Sequence, residues 1–138
     1  QGRLDHMRSM VEGQNTDIQF EYICNSDPKI NDKLMSNLHE GSLVINGTGM
    51  GKDSPGSPIT NEGVFPKNGI AWELNYRGEL DFMHQAFVQK DNRHLWVEDG
   101  WLYFLHGWTQ VIGQVLHIDI TPELFKRLAE VASILKPS

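Results

Sequence analysis

Three glycines at alternate positions follow an apolar run in the stretch LVINGTGMG, at Gly47, Gly49 and Gly51. Glycine lets the backbone turn tightly and lets a ligand approach the main chain closely. The spacing differs from the G-x-G-x-x-G fingerprint, and it opens a loop, so no helix N-terminus is available there for a pyrophosphate. Two interpretations stay open, a flexible turn and one wall of a cofactor pocket.

Polar residues also follow two later apolar stretches, as Asn75-Tyr76 after GIAWEL and as Asp99-Gly100 after HLWVE. Tyr76 either caps the core with its ring or presents its hydroxyl to a polar substrate. Asp99 suits the N-cap of the helix that follows it, whether or not a ligand binds nearby. Both pairs are therefore candidates for a site and for ordinary structural roles.

The segment after Gly100 is rich in aromatic residues, with Trp101, Tyr103 and Phe104 close together. Such a stripe on a helix usually belongs to a core. His106 and Gln110 are one helical turn apart and share a face. They are either satisfied buried polar groups or contacts to a ligand.

Motifs for metal binding and covalent catalysis are missing from the sequence. The six histidines show no metal-ligand spacing, and the sequence contains no C-x-x-C, H-E-x-x-H or G-x-S-x-G. We expect no metal and no covalent nucleophile.

Hydrophobic periodicity and turn residues predict the elements that position these candidates. Predicted strands cover 18–24, 42–48, 69–76 and 94–98, and predicted helices cover about 4–11, 29–41, 78–90, 99–116 and 121–135. Gly13 is expected to end the first helix. The continuous apolar run in 42–48 predicts a strand buried on both faces.

Strands and helices thus alternate strictly, which is typical of an α/β fold with a mainly parallel sheet flanked by helices. In such sheets ligands bind at the carboxyl ends of the strands. Asn46, Asn75 and Asp99 each follow or end a predicted strand. We therefore expect the three polar sites to lie along one edge of the sheet.

The composition excludes several classes of function. The 138 residues are 39% hydrophobic and 22% charged, with a formal net charge of -6 and a single cysteine. Nucleic acids and anionic membranes need a basic patch, which is missing. One cysteine cannot form an intramolecular disulfide and fits a cytoplasmic location. No apolar run reaches membrane-spanning length.

Three motifs together resemble the C-terminal half of shikimate/quinate dehydrogenases: LVINGTGMGKDSPGSPI, GIAWELNYRGEL and EDGWLYFLHGWTQVI. In that family a strand ends in INAT, a later strand carries D-x-x-Y, and DG-x-x-ML-x-x-Q opens a long helix. The order and spacing agree over about residues 17–135. The resemblance implies a cytoplasmic NAD- or NADP-dependent oxidoreductase of aromatic amino acid biosynthesis, with a partial Rossmann-like fold.

The resemblance also implies positions around the cofactor. Asn46, Gly47 and Thr48 match the NAT segment, whose backbone lines the dinucleotide near its ribose and nicotinamide, and Gly49 follows them. Gly100 matches a glycine whose carbonyl meets the nicotinamide amide. Tyr103 falls where the family has a methionine that packs on the nicotinamide ring.

On the substrate side, Tyr76 matches the family tyrosine beside the pocket for a shikimate- or quinate-like hydroxy acid. Glu73 replaces the aspartate of D-x-x-Y. Gly107 occupies the position of the glutamine that bonds substrate hydroxyls, so His106 or Gln110 would have to replace it.

The family's catalytic lysine and aspartate, its phosphate loop and the first two strands of its cofactor domain have no counterpart here. We therefore expect residues 1–138 to form one partial dinucleotide-binding domain without catalytic residues, whose C-terminal helices (about 99–138) pack toward an absent substrate domain. In the strand order 3-2-1-4-5-6 it would supply strands 3, 4, 5 and 6. Unpaired strand edges then predict a homo-oligomer. The alternative is a non-catalytic ligand-binding or interaction module on the same scaffold.

Overall fold

The computed structural model describes residues 2–12 and 14–136 and contains five helices and three strands within them. In chain order these are α1 Gly2–Val11, α2 Pro28–Ser36, β1 Leu43–Asn46, β2 Ile70–Glu73, α3 Asp81–Arg93, β3 Trp96–Glu98, α4 Trp101–Leu116 and α5 Pro122–Ser133. Gly13, the expected end of the first helix, lies outside the described residues. No helix in the described part of the chain is long and apolar enough to cross a membrane.

The three strands form one parallel sheet in the order β1-β2-β3. Leu43 pairs with Ile70, which pairs in turn with Trp96, so the strands start level with one another. Their carboxyl ends consequently lie at the same edge. The prediction of an α/β fold with a parallel sheet is confirmed.

The predicted strand at 18–24 is wrong. This segment has no regular secondary structure and pairs with no strand in the described part of the chain. Its large apolar side chains Ile18, Phe20 and Ile23 are exposed, and Phe20 stacks on Tyr22. Alternation of apolar and polar residues favours an extended chain, but a strand also needs a partner for its hydrogen bonds. The sheet therefore has three strands, and β1 is an edge strand.

Strict alternation of strands and helices is also wrong between β1 and β2. The two parallel strands are joined by the loop from Gly47 to Gly69, without a crossover helix. The loop takes the place of that helix, because its Ile59 and Phe65 are buried against the sheet. The contribution of this loop to the core was not predicted from the sequence.

One face of the sheet, which we call the covered face, carries the hydrophobic core. Val44, Ala71 and Val97 point into it from the three strands. The side chains that pack over them come from α2, the long loop, α3 and the residue before β3: Met35, Ile59, Phe65, Phe82, Ala86 and Leu95. Phe65 and Phe82 meet edge to face, with their ring centroids 5.3 Å apart. Such a pair stabilises the core by about 0.5–1.5 kcal/mol beyond the area that it buries.

The opposite side, which we call the open face, exposes Leu43, Ile45, Ile70 and Trp96. The prediction that the first strand of the sheet is buried on both faces is therefore wrong, since Leu43 and Ile45 remain 49% and 47% exposed. The chain as a whole has 10100 Å² of accessible surface. A folded monomer of 15.7 kDa exposes about 7,300 Å². The chain therefore exposes more surface than a compact monomer of its mass.

Capping residues and prolines fix the starts of two helices. Asp27 and Thr121 are N-caps whose side chains accept hydrogen bonds from Lys29 and Leu124, and each is followed by proline. The prediction that Asp99 is the N-cap of α4 is wrong by one residue, because Gly100 occupies that position. The Asp99 carboxylate still accepts a hydrogen bond from the Trp101 backbone N–H, at 2.9 Å.

Candidate functional site

The carboxyl ends of β1 and β2 bring three polar side chains together: Asn46, Glu73 and Asn75. The Asn46 side-chain amide donates to Glu73 Oε2 at 2.7 Å. Glu73 Oε1 accepts from the Asn75 backbone N–H at 2.9 Å and from the Asn75 side-chain amide at 2.7 Å. All three residues are buried. A carboxylate with three N–H donors thus connects the ends of neighbouring strands.

Burial sets the electrostatics of this cluster. Glu73 is only 1% exposed, and no Lys, Arg or His within the described ranges lies within 4.0 Å of its carboxylate. Loss of solvation raises the pKa of Glu73, and the hydrogen bonds from Asn75 and Asn46 offset only part of that rise. Glu73 is therefore a buried acid whose negative charge is satisfied by dipoles alone.

The same cluster fixes the loop that follows β1. Asn46 Oδ1 accepts from the Thr48 backbone N–H at 3.0 Å and from the Thr48 hydroxyl at 2.7 Å. The Met50 carbonyl accepts from the Asn75 side-chain amide at 3.0 Å, and the Met50 N–H donates to Thr48 Oγ1 at 3.2 Å. These hydrogen bonds hold the loop in one conformation, which favours an ordered loop over the flexible turn. Gly47 and Thr48 remain exposed on it.

Glycine is required within this loop at Gly51. Its φ of +86° lies in the left-handed region, which side chains other than glycine rarely adopt. The Gly51 carbonyl accepts from the Leu80 backbone N–H at 3.3 Å, which ties the loop to the residue before α3. Gly49 has a similar conformation, with a φ of +76°. The alternate glycines of the sequence therefore shape the loop.

Gly100 brings the start of α4 against the end of β2. Its backbone N–H donates to the Asn75 carbonyl at 3.0 Å. A Cβ atom at this position would lie 2.0 Å from the Leu74 carbonyl oxygen, so only glycine fits. Two of the predicted polar sites, Asn75-Tyr76 and Asp99-Gly100, are consequently in direct contact.

Aromatic rings cover the outer side of this contact. Tyr76 stacks on Phe104 of α4, with the ring centroids 4.1 Å apart and the planes inclined by 26°. Tyr103 meets Trp72 edge to face at 5.9 Å and remains 55% exposed. The predicted substrate-side tyrosine and the predicted nicotinamide-side tyrosine thus both lie where α4 meets the end of β2.

His106 and Gln110 are not brought to this cluster. His106 stacks on Phe125 of α5, with their ring centroids 3.8 Å apart. At about 100° per residue, His106 lies about 200° and Gln110 about 240° around α4 from Phe104, so both lie on the far side of the helix. The helix axis therefore separates both residues from Tyr76.

Glu73 is the residue that analysis of the sequence missed, since it was treated only as a replacement for the family aspartate. One signal could have found it: a single acid among apolar residues in the predicted strand GIAWELNY. An acid within such a strand is usually paired or functional. Its partner Asn46 is 27 residues away, and no local pattern identifies that pairing.

The arrangement offers a ligand the exposed residues Gly47 and Thr48 and the exposed ring of Tyr103. It does not offer a metal site, because the described residues contain no group of three or more His, Cys, Asp or Glu that could hold an ion. No known protein family, curated protein or solved structure matches the chain.

Proposed function

We propose that the chain is the C-terminal half of an NAD(P)-dependent oxidoreductase that resembles the shikimate/quinate dehydrogenases. The intact enzyme transfers a hydride between nicotinamide and a ring hydroxyl of a shikimate- or quinate-like acid. One observation carries the proposal: the residues of the three motifs, distant in sequence, meet at one sheet edge. Glu73 accepts hydrogen bonds from both Asn46 and Asn75, and the Gly100 backbone N–H donates to the Asn75 carbonyl.

The strand order supports a partial Rossmann-like domain. In the order 3-2-1-4-5-6, strands 4, 5 and 6 are adjacent, parallel and in sequence order, as β1, β2 and β3 are. The free edge of β1 is where strand 1 would pair. The proposal thus assigns three strands to this chain, and the first three strands and the phosphate loop to the rest of the enzyme.

The residues present fit a nicotinamide cofactor. The backbone of Asn46, Gly47, Thr48 and Gly49 would form one wall, and Gly100 would line it only through its backbone, since the residue is buried against Leu74 and Asn75. When bound, the cofactor supplies the hydride chemistry. The role of these residues is to hold and orient it, while Tyr103 contributes a ring that remains exposed.

Tyr76 is the proposed substrate contact, because its ring is held by Phe104 next to the Asn75 end of β2. His106 and Gln110, which face other directions, are left out of the site. The general acid and base lie outside this chain.

The test uses the protein translated from the complete reading frame that contains these 138 residues. We expect shikimate or quinate to produce reduced nicotinamide, detected by its fluorescence, with NAD or NADP. The isolated chain should bind either dinucleotide weakly or not at all, because most pyrophosphate contacts come from the phosphate loop. Failure of both acids with both cofactors would contradict the proposal.

Tyr76→Phe removes only the hydroxyl and keeps the ring stacked on Phe104. Loss of one hydrogen bond to the substrate should lower kcat/KM about three- to tenfold. The cofactor dissociation constant should stay unchanged. Tyr103→Phe is the matched control and should leave kcat/KM intact, since the proposal gives its hydroxyl no role. Equal kinetics for Tyr76→Phe and the wild type would make Tyr76 structural.

A non-catalytic binding or interaction module is the second candidate. One observation favours it: Gly107, at the position of the family's glutamine, has no atom within 4 Å of where a Cβ would be. It lies with Phe104 and Trp108 in a shallow apolar depression on α4. Under this alternative the complete protein would bind its ligand without any transfer of hydride.

A further inference from the structure

Two backbone N–H groups determine which side-chain atoms around Glu73 donate hydrogen bonds and which accept them. The Thr48 backbone N–H can only donate, so the oxygen of the Asn46 amide must face it. The nitrogen of that amide must then face Glu73 Oε2. The Asn75 backbone N–H, likewise, can only donate to Oε1. Both oxygens of Glu73 are therefore acceptors, and no acceptor is placed to take a proton from them.

This arrangement matches an ionised carboxylate and conflicts with a protonated one. A proton on Oε2 would point at the Asn46 amide nitrogen, which is itself a donor. Turning the Asn46 amide over would provide an acceptor, but it would break the hydrogen bond from the Thr48 backbone N–H. A proton on Oε1 would meet the Asn75 N–H groups instead. Every way of accommodating the proton breaks a bond that holds the loop.

The charged groups on the neighbouring elements are engaged elsewhere. Lys52 pairs with Asp53 in the loop, Asp99 pairs with Lys136, and Glu98 accepts from the Trp96 indole. Asp81 lies in the first turn of α3, where the helix dipole favours it. No cation therefore competes with Asn46 and Asn75 for the Glu73 carboxylate.

We infer that Glu73 is a positioning residue: its ionised carboxylate fixes Asn46 and Asn75, and through them the backbone from Gly47 to Gly51, so that protonation releases this loop. The inference concerns the conformation of the chain itself and does not depend on which ligand the loop binds. It makes the shape of the strand-end loop dependent on pH. The hydrogen bonds from Asn75 and Asn46 lower the pKa of Glu73, and the carboxyl stays buried on β2 when they break, so its pKa rises further and protonation favours the released loop. Because burial raises the pKa in both forms, the release occurs above the pH at which exposed glutamates titrate.

The experiment is an NMR titration of the 138-residue protein. The carboxyl carbon of Glu73 reports its ionisation, and the amide signals of Thr48 and Asn75 report the loop and the strand end. We expect both amides to titrate together with the Glu73 carboxyl, at a pH above the ordinary glutamate range. An unchanged Thr48 amide while Glu73 titrates would overturn the inference, and so would titration of Glu73 in the ordinary range.

Three variants separate charge from shape. Glu73→Gln keeps the size of the side chain but places an amide N–H group against the N–H donors of Asn46 or Asn75. The backbone amides of Thr48 and Met50 should then exchange with solvent about tenfold faster or more, as expected for loss of a charge-assisted hydrogen bond. Glu73→Asp keeps the charge and should retain the titration. Glu98→Gln is the matched control on β3 and should behave as the wild type.

Wild-type exchange rates in Glu73→Gln would overturn the inference. If Glu73→Gln does not fold, the titration of the unmodified protein still decides, because the coupling between the Glu73 carboxyl and the Thr48 amide needs no variant.

Discussion

The two faces of the sheet are built from the same strands but differ in what covers them. Val44 lies against the core, while its neighbours Leu43 and Ile45 on the open face are exposed. On the covered face the long loop, α2 and α3 supply the packing. The open face has equally apolar residues, but there Tyr103 of α4 packs on Trp72 while Leu43, Ile45, Ile70 and Trp96 stay exposed. An apolar run thus indicates which surfaces are to be buried, but it does not indicate which segment or partner buries them.

The largest expected effect tests this difference with two aromatic truncations. Phe82→Ala removes a ring that is 2% exposed and packs on Phe65, so it should lower the free energy of unfolding by about 3–5 kcal/mol. Trp96→Ala, on the open face, should change it by less than about 1 kcal/mol. Urea denaturation followed by circular dichroism measures both. A large loss in Trp96→Ala would show that the open face is covered in solution.

The second effect compares Gly100, immediately before α4, with Gly107, in the middle of that helix. Gly100→Ala forces a Cβ against the Leu74 carbonyl and should destabilise the protein by about 1–3 kcal/mol. Gly107→Ala has open space in the middle of a helix and should stabilise it by about 0.5–1 kcal/mol. Thermal unfolding gives both values. Effects of the same sign would contradict the close approach at Gly100.

The third effect concerns pH and uses an acid on each face. Burial raises the pKa of Glu73 in the folded protein above its value in the unfolded chain, whether the strand-end loop is held or released, so the folded state retains the proton to higher pH than the unfolded chain does. The stability that this proton confers is complete below the unfolded pKa of about 4.3 and is lost as pH rises through the folded pKa. Within that window the free energy of unfolding falls by up to about 1.4 kcal/mol per pH unit.

Comparison with Glu73→Gln isolates this contribution, since the variant has no proton to lose. The difference in unfolding free energy between the wild type and Glu73→Gln should decrease as pH rises through the window. Glu98→Gln, on the open face, is the control for removing a carboxylate from the sheet. A difference for Glu73→Gln that increases with pH would reverse the sign and refute the prediction.

Ile70→Lys, on the open face, should have the smallest effect on the free energy of unfolding. It should have a clear effect on the oligomeric state. The chain should self-associate through this face or through the free edge of β1, as unpaired strands and apolar patches do. Light scattering at increasing concentration should show a dimer or higher oligomer, which Ile70→Lys shifts toward monomer. Its effect on the stability of the monomer should be about 0.5 kcal/mol or less. A wild-type monomer at all concentrations would contradict this prediction.

Where the determining interactions were local, the sequence was sufficient to predict the structure. Asp27-Pro28 and Thr121-Pro122 start helices because a cap and a fixed φ act within one turn. The apolar runs of β1, β2 and β3 were long enough to identify parallel strands. The carboxyl ends of these strands, and therefore the edge that holds Asn46, Asn75 and Gly100, followed from the fold class.

Where the interactions were distant, prediction from the sequence failed. The segment 18–24 has the composition of a strand, but pairing depends on an edge that its residues do not specify. His106 and Gln110 were placed in the site from their common helix face, whereas the position of α5 decides that His106 stacks on Phe125. Glu73 acquired its role from Asn46, across the sheet, and from the absence of a neighbouring cation.

The loop that replaces a crossover helix between β1 and β2 has a consequence for the order of assembly. β2, α3 and β3 are contiguous in the chain and can associate as one unit with short closures. β1 joins only after the whole segment from Gly47 to Gly69 is ordered, and this segment has no helix to order it in advance. We therefore expect β1 to dock last and to open first. Local opening of β1 would carry Asn46 away from Glu73, so the strand-end loop would be lost well before the protein unfolds as a whole.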